Sequence, residues 1–268
     1  MSELLESLEN GVLTLTINRP HAHNTLSQSV SASLSDALVR AERNADVRCI
    51  VLTGAGGVFC AGGDVNDQAS GNIGGGETDP EAAQAAMVKT IREGMEMSRL
   101  LREVPKPTLA IISGAAAGAG LALALACDLR FCLDTAKLTT AFVKLGLSGD
   151  SGGTYFLPQL VGTAKARELY FMADVISGQE AYEIGLVSMV ASAETFEEES
   201  RAYAKHLASL PTIALGYMKM NLNAAEHLTL SEAFDLEAEN IVRTMNTEDH
   251  KQAAAAFLKK ERPVFKGR

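Results

Sequence analysis

Apolar and polar residues alternate from Val12 to Ile17, with Leu13, Leu15 and Ile17 on one side and Thr14 and Thr16 on the other. A period of two predicts a strand with one buried face. Asn18-Arg19-Pro20 ends it, because proline fixes its own φ and restricts the residue before it. Ser27 is placed to cap a helix whose Leu34, Leu38 and Ala41 share a face. Cys49 to Thr53 is apolar without alternation, the pattern of a strand covered on both sides. A glycine-rich turn, Gly54 to Asp64, follows directly, and the aperiodic stretch from Asn66 to Pro80 reads as a surface loop. Met87, Ile91 and Met95 keep helical spacing in a helix expected to run to about Val104, where Pro105-Lys106-Pro107 breaks it. A second apolar strand, Thr108 to Ile112, leads into a small-residue run, Ser113 to Gly120, and then an apolar helix, Leu121 to Asp128. Strand, helix, strand, loop, helix, strand is the order of an α/β fold with parallel strands.

After Gly153 the pattern turns helical. Thr163 to Met172 is one expected helix, and Ser177 with Glu180 forms a capping box that starts another. Gly185 stops that helix before the short apolar run Leu186 to Val190. Beyond Thr195 only helices are expected, near residues 195–209, 211–226, 231–245 and 248–260. Thr229 with Glu232, and Thr247 with Glu248 and Asp249, mark two of their starts. The domain reading is an α/β body over residues 1–200 and an all-helical region over 201–268.

Composition narrows the function. With 268 residues, 47% apolar and 21% charged, the chain can bury a sizeable core and is not disordered. A net charge of −9 argues against a nucleic-acid or anionic-membrane surface, while leaving room for a local basic pocket. Cys49, Cys60, Cys127 and Cys132 sit in apolar context without ligand-type spacing, so buried free thiols are expected rather than disulfides or zinc. No signal-like opening and no run of 18 apolar residues occurs, and a cytoplasmic protein is expected.

Candidate chemistry lies in the two turns that follow strands. Glycines and alanines from Gly114 to Gly120 let backbone come close to a ligand. The following helix start presents unpaired N–H groups that attract a carboxylate, a phosphate or a developing oxyanion. Asp150 is one acid among glycines in Lys144 to Thr154, and with an oxyanion-binding turn it points to enolate chemistry. On its residues alone Asp150 reads first as a turn aspartate bonding its own backbone, and only its position in the pattern below reverses that preference. Gly149-Asp150-Ser151-Gly152-Gly153 also spells a serine-protease nucleophile signature, which belongs to secreted all-β chains with disulfides. Gly118-Ala119-Gly120 is not a dinucleotide fingerprint, since Leu123 stands at its third glycine. His21 and His23 read as a polar loop, and no metal is expected. Asp64 and Asp128 read as structural acids that bond local backbone.

These motifs in this order resemble the crotonase (enoyl-CoA hydratase/isomerase) superfamily over nearly the whole chain. The carrying segments are Asn18-Arg19-Pro20 with Asn24, Phe59 to Asp64, Gly114 to Gly120, and Cys127-Asp128-Leu129-Arg130. Lys144 to Leu147, Gly152-Gly153-Thr154, Glu180-Ala181 with Gly185-Leu186-Val187, and Phe257 to Lys260 complete the set. The resemblance implies a spiral of ββα turns with a helical C-terminal region that makes trimers or dimers of trimers. It implies an acyl-CoA thioester substrate, with no cofactor besides the coenzyme A of the substrate. By motif position the thioester oxygen sits between the N–H groups of Gly63 and Ala119. The resemblance places Ala22, Cys60, Ala61, Asp64, Gly118, Phe142 and Leu147 around the acyl-CoA, with Arg19 a candidate for a coenzyme phosphate, and Phe257 and Lys260 against the coenzyme of a neighbouring subunit.

Departures from the family pattern carry more information. Hydratases of the family hold a water between two glutamates, and those positions read Ala122 and Phe142 here. Asp150 is the acid that remains, and the surrounding segment looks most like the isomerase branch, the ring-epoxide isomerases of phenylacetate degradation in particular. A double-bond shift needs one carboxylate that removes a proton α to the thioester and returns it at the γ carbon. A cavity lined by Ala122, Phe142 and Leu147 is expected to desolvate Asp150 and strengthen it as a base. The rivals are a hydratase that activates water through Asp150 alone, a dehalogenase with Asp150 as nucleophile, and a non-catalytic CoA- or RNA-binding homologue. The absence of tryptophan disfavours the second, and the acidic charge disfavours RNA.

Overall fold

The computed structural model describes residues 2–64 and 79–268. Of the stretch read as a surface loop, residues 66–78 lie outside the described ones. A six-stranded sheet forms the centre, built from β1 (Leu4–Glu9), β2 (Val12–Ile17), β3 (Cys49–Gly54), β4 (Thr108–Ile112), β6 (Leu129–Leu133) and β9 (Met189–Ala191) in that spatial order. All neighbours from β2 to β9 pair in parallel, as the order of elements predicts. The edge hairpin β1–β2 is antiparallel, and the sequence reading missed β1. Its turn is Asn10-Gly11, both at positive φ, the pair that fits a tight two-residue hairpin.

A smaller sheet joins β5 (Ala116–Ala117), β7 (Lys137–Thr139) and β8 (Ile176–Ser177). Cys60 pairs with Ala116 as an isolated parallel bridge, so the turn after β3 reaches the same place as β5 after β4. Each turn of the chain thus adds a strand to the large sheet, a short extended piece beside it, and then helix. This is the α/β spiral of ββα turns that was expected.

Helix α1 (Gln28–Arg43) starts where Ser27 accepts from the Val30 N–H and buries Val30, Leu34, Ala37, Leu38 and Ala41. The helix expected to end near Val104 is two helices, α2 (Pro80–Gly94) and α3 (Glu96–Glu103), which meet at Met95. Met87 and Ile91 stay 41% and 40% exposed, whereas Met97 and Leu101 of α3 enter the core. The stripe that reaches the core is therefore set after Met95, and the axis changes there. Helix α4 (Ala119–Ala126) is buried along its whole length. Helix α5 runs Gly153–Met172 with a break at Gly162 (φ 75, ψ 161), which extends the expected helix by a further segment before the break.

Helix α6 (Gly178–Glu183) carries the Ser177/Glu180 capping box. Helix α7 (Phe196–Ser209) spans the expected boundary at residue 200 and packs Ala204, Leu207 and Ala208 on Cys49, Val51, Leu109 and Phe131. Three more helices follow, α8 (Thr212–Ala225), α9 (Leu230–Met245) and α10 (Glu248–Leu258). Asp128 at the foot of β6 accepts from the Thr108 N–H at 2.8 Å and from the Lys219 ammonium of α8 at 2.8 Å. Lys219 donates as well to the Leu101 carbonyl at 2.8 Å, which ties the helical region to the body through a buried ion pair. Arg48 and Asp249 fix the last residues: Arg48 donates to Phe265 O at 2.7 Å, and Asp249 accepts from the Lys266 and Gly267 N–H groups at 2.6 and 2.8 Å.

Candidate active site

The two turns expected to bind an oxyanion lie side by side. The Phe59 and Cys60 N–H groups donate to Ala115 O at 3.0 and 3.1 Å, and the Ala117 N–H donates back to Cys60 O at 3.0 Å. Buried Asn24 holds the first turn: its amide donates to Ala55 O at 2.8 Å and Val58 O at 2.7 Å, while its Oδ1 accepts from the Arg19 N–H. The Leu26 N–H donates to Gly62 O at 2.8 Å, so Gly62 turns its carbonyl away. A Cβ on Gly62 would stand 3.5 Å from the Ala119 nitrogen, and φ there is +103°. Gly118, at φ 52 and ψ −125, swings the chain into α4 so that Ala119 is its first residue. Glycine is required next to it as well, because a Cβ on Gly120 would lie 2.3 Å from Cys60 O. Among the described residues neither the Gly63 nor the Ala119 N–H has a hydrogen-bond acceptor. The donors read from motif position are thus brought to the same edge of two interlocked turns.

Asp150 comes in from a different segment. Ala141, Gly146, Gly149, Ser151 and Gly152 all have positive φ, and this winding carries the chain from β7 to the start of α5. Phe142 is buried, and its ring joins the two halves of the site: a Cβ on Gly118 would meet its Cε1 at 3.7 Å, and one on Gly149 its Cδ2 at 3.7 Å. A Cβ on Gly153 would lie 3.2 Å from the Ala122 Cβ and 2.3 Å from the Tyr170 hydroxyl. Asp150, between these glycines, is half-buried, and among the described residues its buried Oδ1 has no hydrogen-bond partner. Burial pushes its carboxyl above the usual range, and the neighbouring Ser151 hydroxyl draws it partly back.

Several expectations change here. Arg19 is not open to a coenzyme phosphate: its Nη1 donates to Thr25 O at 2.7 Å, its Nη2 pairs with Asp64 at 3.3 Å, and its Nε lies 2.9 Å from Glu3 Oε1. The guanidinium pins the turn that carries Gly63, and Asp64 is its partner there. Cys60 presents only backbone, because its side chain is fully buried and burial pushes its thiol up to about 12. Leu147 is 45% exposed, and the side chains nearest the glycines that flank Asp150 are Ala122, Phe142 and Tyr170. Ala22 and Ala61 are half-buried on the turn beside Gly63, with the Ala61 N–H donating to His23 O at 3.1 Å. Phe257 is 81% exposed on α10 and Lys260 follows it at positive φ, both on the outer helical region of the single chain.

Tyr170 was missed because its hydroxyl arrives from twenty residues downstream, with no local motif to announce it. Asn24 was noticed only as part of a motif, although its buried amide is what fixes the first turn. A cavity of about 1030 Å³ meets the site at Gly63 and Asp64, and Glu3, Asp36, Glu93 and Glu96 give it an acidic wall. Among the described residues no cluster of three His, Cys, Asp or Glu side chains is placed to hold a metal ion, and no helix is long and apolar enough to cross a membrane.

Residues 7–268 match the model of the enoyl-CoA hydratase/isomerase family. The chain belongs to that family. It is 36% identical over 269 residues to the 1,2-epoxyphenylacetyl-CoA isomerase of Escherichia coli (strain K12), covering 100% of both chains. It is 32% identical to 4-chlorobenzoyl coenzyme A dehalogenase-2 of an Arthrobacter species, covering 94% of this chain and 89% of that one. The crystal structure of an enoyl-CoA hydratase from Polaromonas sp. JS666 superposes with a TM-score of 0.89 at 34% identity, covering 98% of this chain and 99% of that one. Family membership accounts for the interlocked turns and for the helical C-terminal region. The three relatives are named for three different reactions.

Proposed function

We propose that this member of the family is an acyl-CoA isomerase that moves a β,γ double bond into conjugation with the thioester or rearranges a ring epoxide. The observation that carries this reading is the half-buried Asp150, whose flanking glycines lie against Ala122 and Phe142, the positions where the hydratases of the family hold a glutamate pair, and whose Oδ1 has no partner among the described residues. The relatives' names share a coenzyme A thioester, which supports that substrate class here.

In the proposed reaction the Asp150 carboxylate takes the α proton. The C–H electron pair moves into the carbonyl, and the enolate oxygen accepts hydrogen bonds from the Gly63 and Ala119 N–H groups. Two preorganised donors of this kind lower a barrier by about 3 kcal/mol or more. Protonated Asp150 then returns its proton at the γ carbon, the enolate collapses, and the double bond lies between the α and β carbons. Atoms balance without a water, which fits a wall of alanine, phenylalanine and tyrosine. The large exposed side chains Leu230, Phe234, Ile241, Phe257 and Leu258 on α9 and α10 support a homotrimer or dimer of trimers. Sedimentation velocity measures that state.

The test is absorbance at the conjugated thioester band, with β,γ- and α,β-enoyl-CoA supplied separately. Conjugation of the first, no hydration of the second, and loss of turnover in Asp150→Asn are expected. Hydration of the α,β substrate by the wild type would make Asp150 a water-activating base and overturn the isomerase reading.

A further inference from the structure

Asp150 and Tyr170 leave matching gaps. The Asp150 Oδ1 is buried without a hydrogen-bond partner, and the Tyr170 hydroxyl makes no hydrogen bond either, among the described residues. An unpaired buried acceptor is destabilising, and more so when it is charged. The tyrosine oxygen stands against the two glycines that flank the acid, 3.6 Å from a Cβ on Gly149 and 2.3 Å from one on Gly153. A side chain at residue 153 would collide with that oxygen, so the turn is cut away around a hydroxyl rather than around a bare ring. The ring itself is held, since it stacks on Phe142 at 6.1 Å with the planes 4° apart. The influences on the acid are burial and Ser151, and those on the phenol are burial and Asp150, which together hold the phenol up to about 12. No other charged side chain among the described residues acts on either group. The phenol therefore stays protonated, a donor throughout the pH range of the reaction.

We propose that Tyr170 is a positioning residue for Asp150: when the carboxylate is charged, it turns toward the Tyr170 hydroxyl, which donates the hydrogen bond that Oδ1 lacks. Such a side-chain movement is fast compared with turnover. The donated bond favours the charged form, so it offsets part of the burial and keeps the base ionised near neutral pH. It also fixes the carboxylate between the α and γ carbons, where the same oxygen must deliver and collect the proton. The inference rests on Asp150 being the acid/base of the proposed reaction.

The test is Tyr170→Phe, which keeps the stack on Phe142 and removes the oxygen. The acid limb of kcat/KM for conjugation of a β,γ-enoyl-CoA is expected to move up by about one pH unit, a roughly tenfold loss of rate below the limb. KM should change by less than about twofold. The Asp150 carboxyl carbon, followed by carbon-13 NMR and assigned by its absence in Asp150→Asn, should titrate higher by the same amount. If Tyr170→Phe does not fold, Gly153→Ala displaces the hydroxyl instead and should give the same upward shift. Profiles and titrations that superpose on the wild type overturn the role of Tyr170. Turnover by Asp150→Asn at the wild-type rate would instead remove the reading of Asp150 on which it rests.

Discussion

The rings of Phe142 and Tyr170 lie face to face, 6.1 Å between centroids and 4° from parallel, and they form one continuous wall beside Asp150. Phe142 lies between the oxyanion turn and the acid's turn, 3.7 Å from where a Cβ would stand on Gly118 at one edge and on Gly149 at the other. A single ring thus sets the distance between the groups that would hold the enolate and the group that would move the proton. Burial is the first cause of the raised Asp150 carboxyl, and this ring lies beside the turn that carries it.

Phe142→Ala should therefore act on pH dependence as well as on rate. Water admitted beside Asp150 lowers its carboxyl toward the ordinary range, so the acid limb of kcat/KM should move to lower pH while kcat falls. Loss of the buried ring should cost about 3 kcal/mol of stability. Chemical denaturation and a pH–rate profile measure both. A limb that stays in place would mean that the turn backbone, not the ring, desolvates the acid.

Asp150→Asn should stabilise the protein at neutral pH. The folded state raises this carboxyl, so it binds the proton more tightly than the unfolded chain does, and stability falls as pH rises through the folded value. Where the folded carboxyl is ionised the penalty is present, and removing the charge relieves it. A gain of about 2–4 °C in Tm is expected, shrinking as pH drops toward the unfolded value of roughly 4. Thermal melts of both proteins at pH 4 and pH 7 provide the comparison, and an equal gain at both would rule out a titrating cause.

Gly120→Ala tests the interlocked turns. The added methyl would stand 2.3 Å from Cys60 O and 2.7 Å from its Cβ, both held by the pairing of Cys60 with Ala115 and Ala117. Backbone cannot rotate away as a flexible side chain can, so the turns must separate. Overpacking of this kind costs about 2–3 kcal/mol. Because the Ala119 N–H sits on the displaced backbone, kcat should fall more than tenfold with KM less affected.

The large sheet was legible because its strands are read from local periodicity: Val12 to Ile17 alternates, and Cys49 to Thr53 is apolar throughout. The capping boxes at Ser177 and Thr229 were legible for the same reason, as three-residue signals that the structure contains. β1 was lost because Leu5 and Leu8 face outward on an edge strand, although Asn10-Gly11 was a hairpin signal in plain view. The short strands of the small sheet carry two or three residues each, too few to show a period. At the candidate site, Gly63, Ala119 and Asp150 could be named from motif position, whereas the tasks of Arg19, Lys219 and Tyr170 depend on partners distant in sequence. Lys219 and Arg19 look alike as isolated cations in the sequence, and only the fold shows each against a carboxylate.

The Lys219–Asp128 pair should be an anchor for the helical region. Lys219 is nearly buried, its ammonium is pushed down by burial and held up by Asp128, and it also satisfies Leu101 O. Lys219→Met should cost about 3 kcal/mol, because it leaves Asp128 without its counter-charge. The double variant Lys219→Met/Asp128→Asn should recover part of that loss, since the orphaned charge is removed too. Denaturant titration of the three proteins gives the coupling, and a double variant no better than the single one would show that the carbonyl contacts dominate.

Arg19 supplies the sharpest separation between what its motif position suggested and what its surroundings allow. A coenzyme-phosphate ligand would leave its guanidinium open, but it meets Thr25, Asp64 and Glu3 with a side chain only 12% exposed. Its role is then to hold the turn whose Gly63 N–H faces the site, and the effect of removing it must pass through that turn. Arg19→Gln should lower Tm and kcat together, leaving Asp64 without its guanidinium. If the arginine bound phosphate, the variant would instead lose coenzyme thioesters selectively and spare the corresponding pantetheine thioesters, which lack the nucleotide. The ratio of kcat/KM for acyl-CoA over acyl-pantetheine separates the two, and it should stay within about twofold of the wild-type ratio, because a residue that acts on Gly63 weakens the enolate site equally for both.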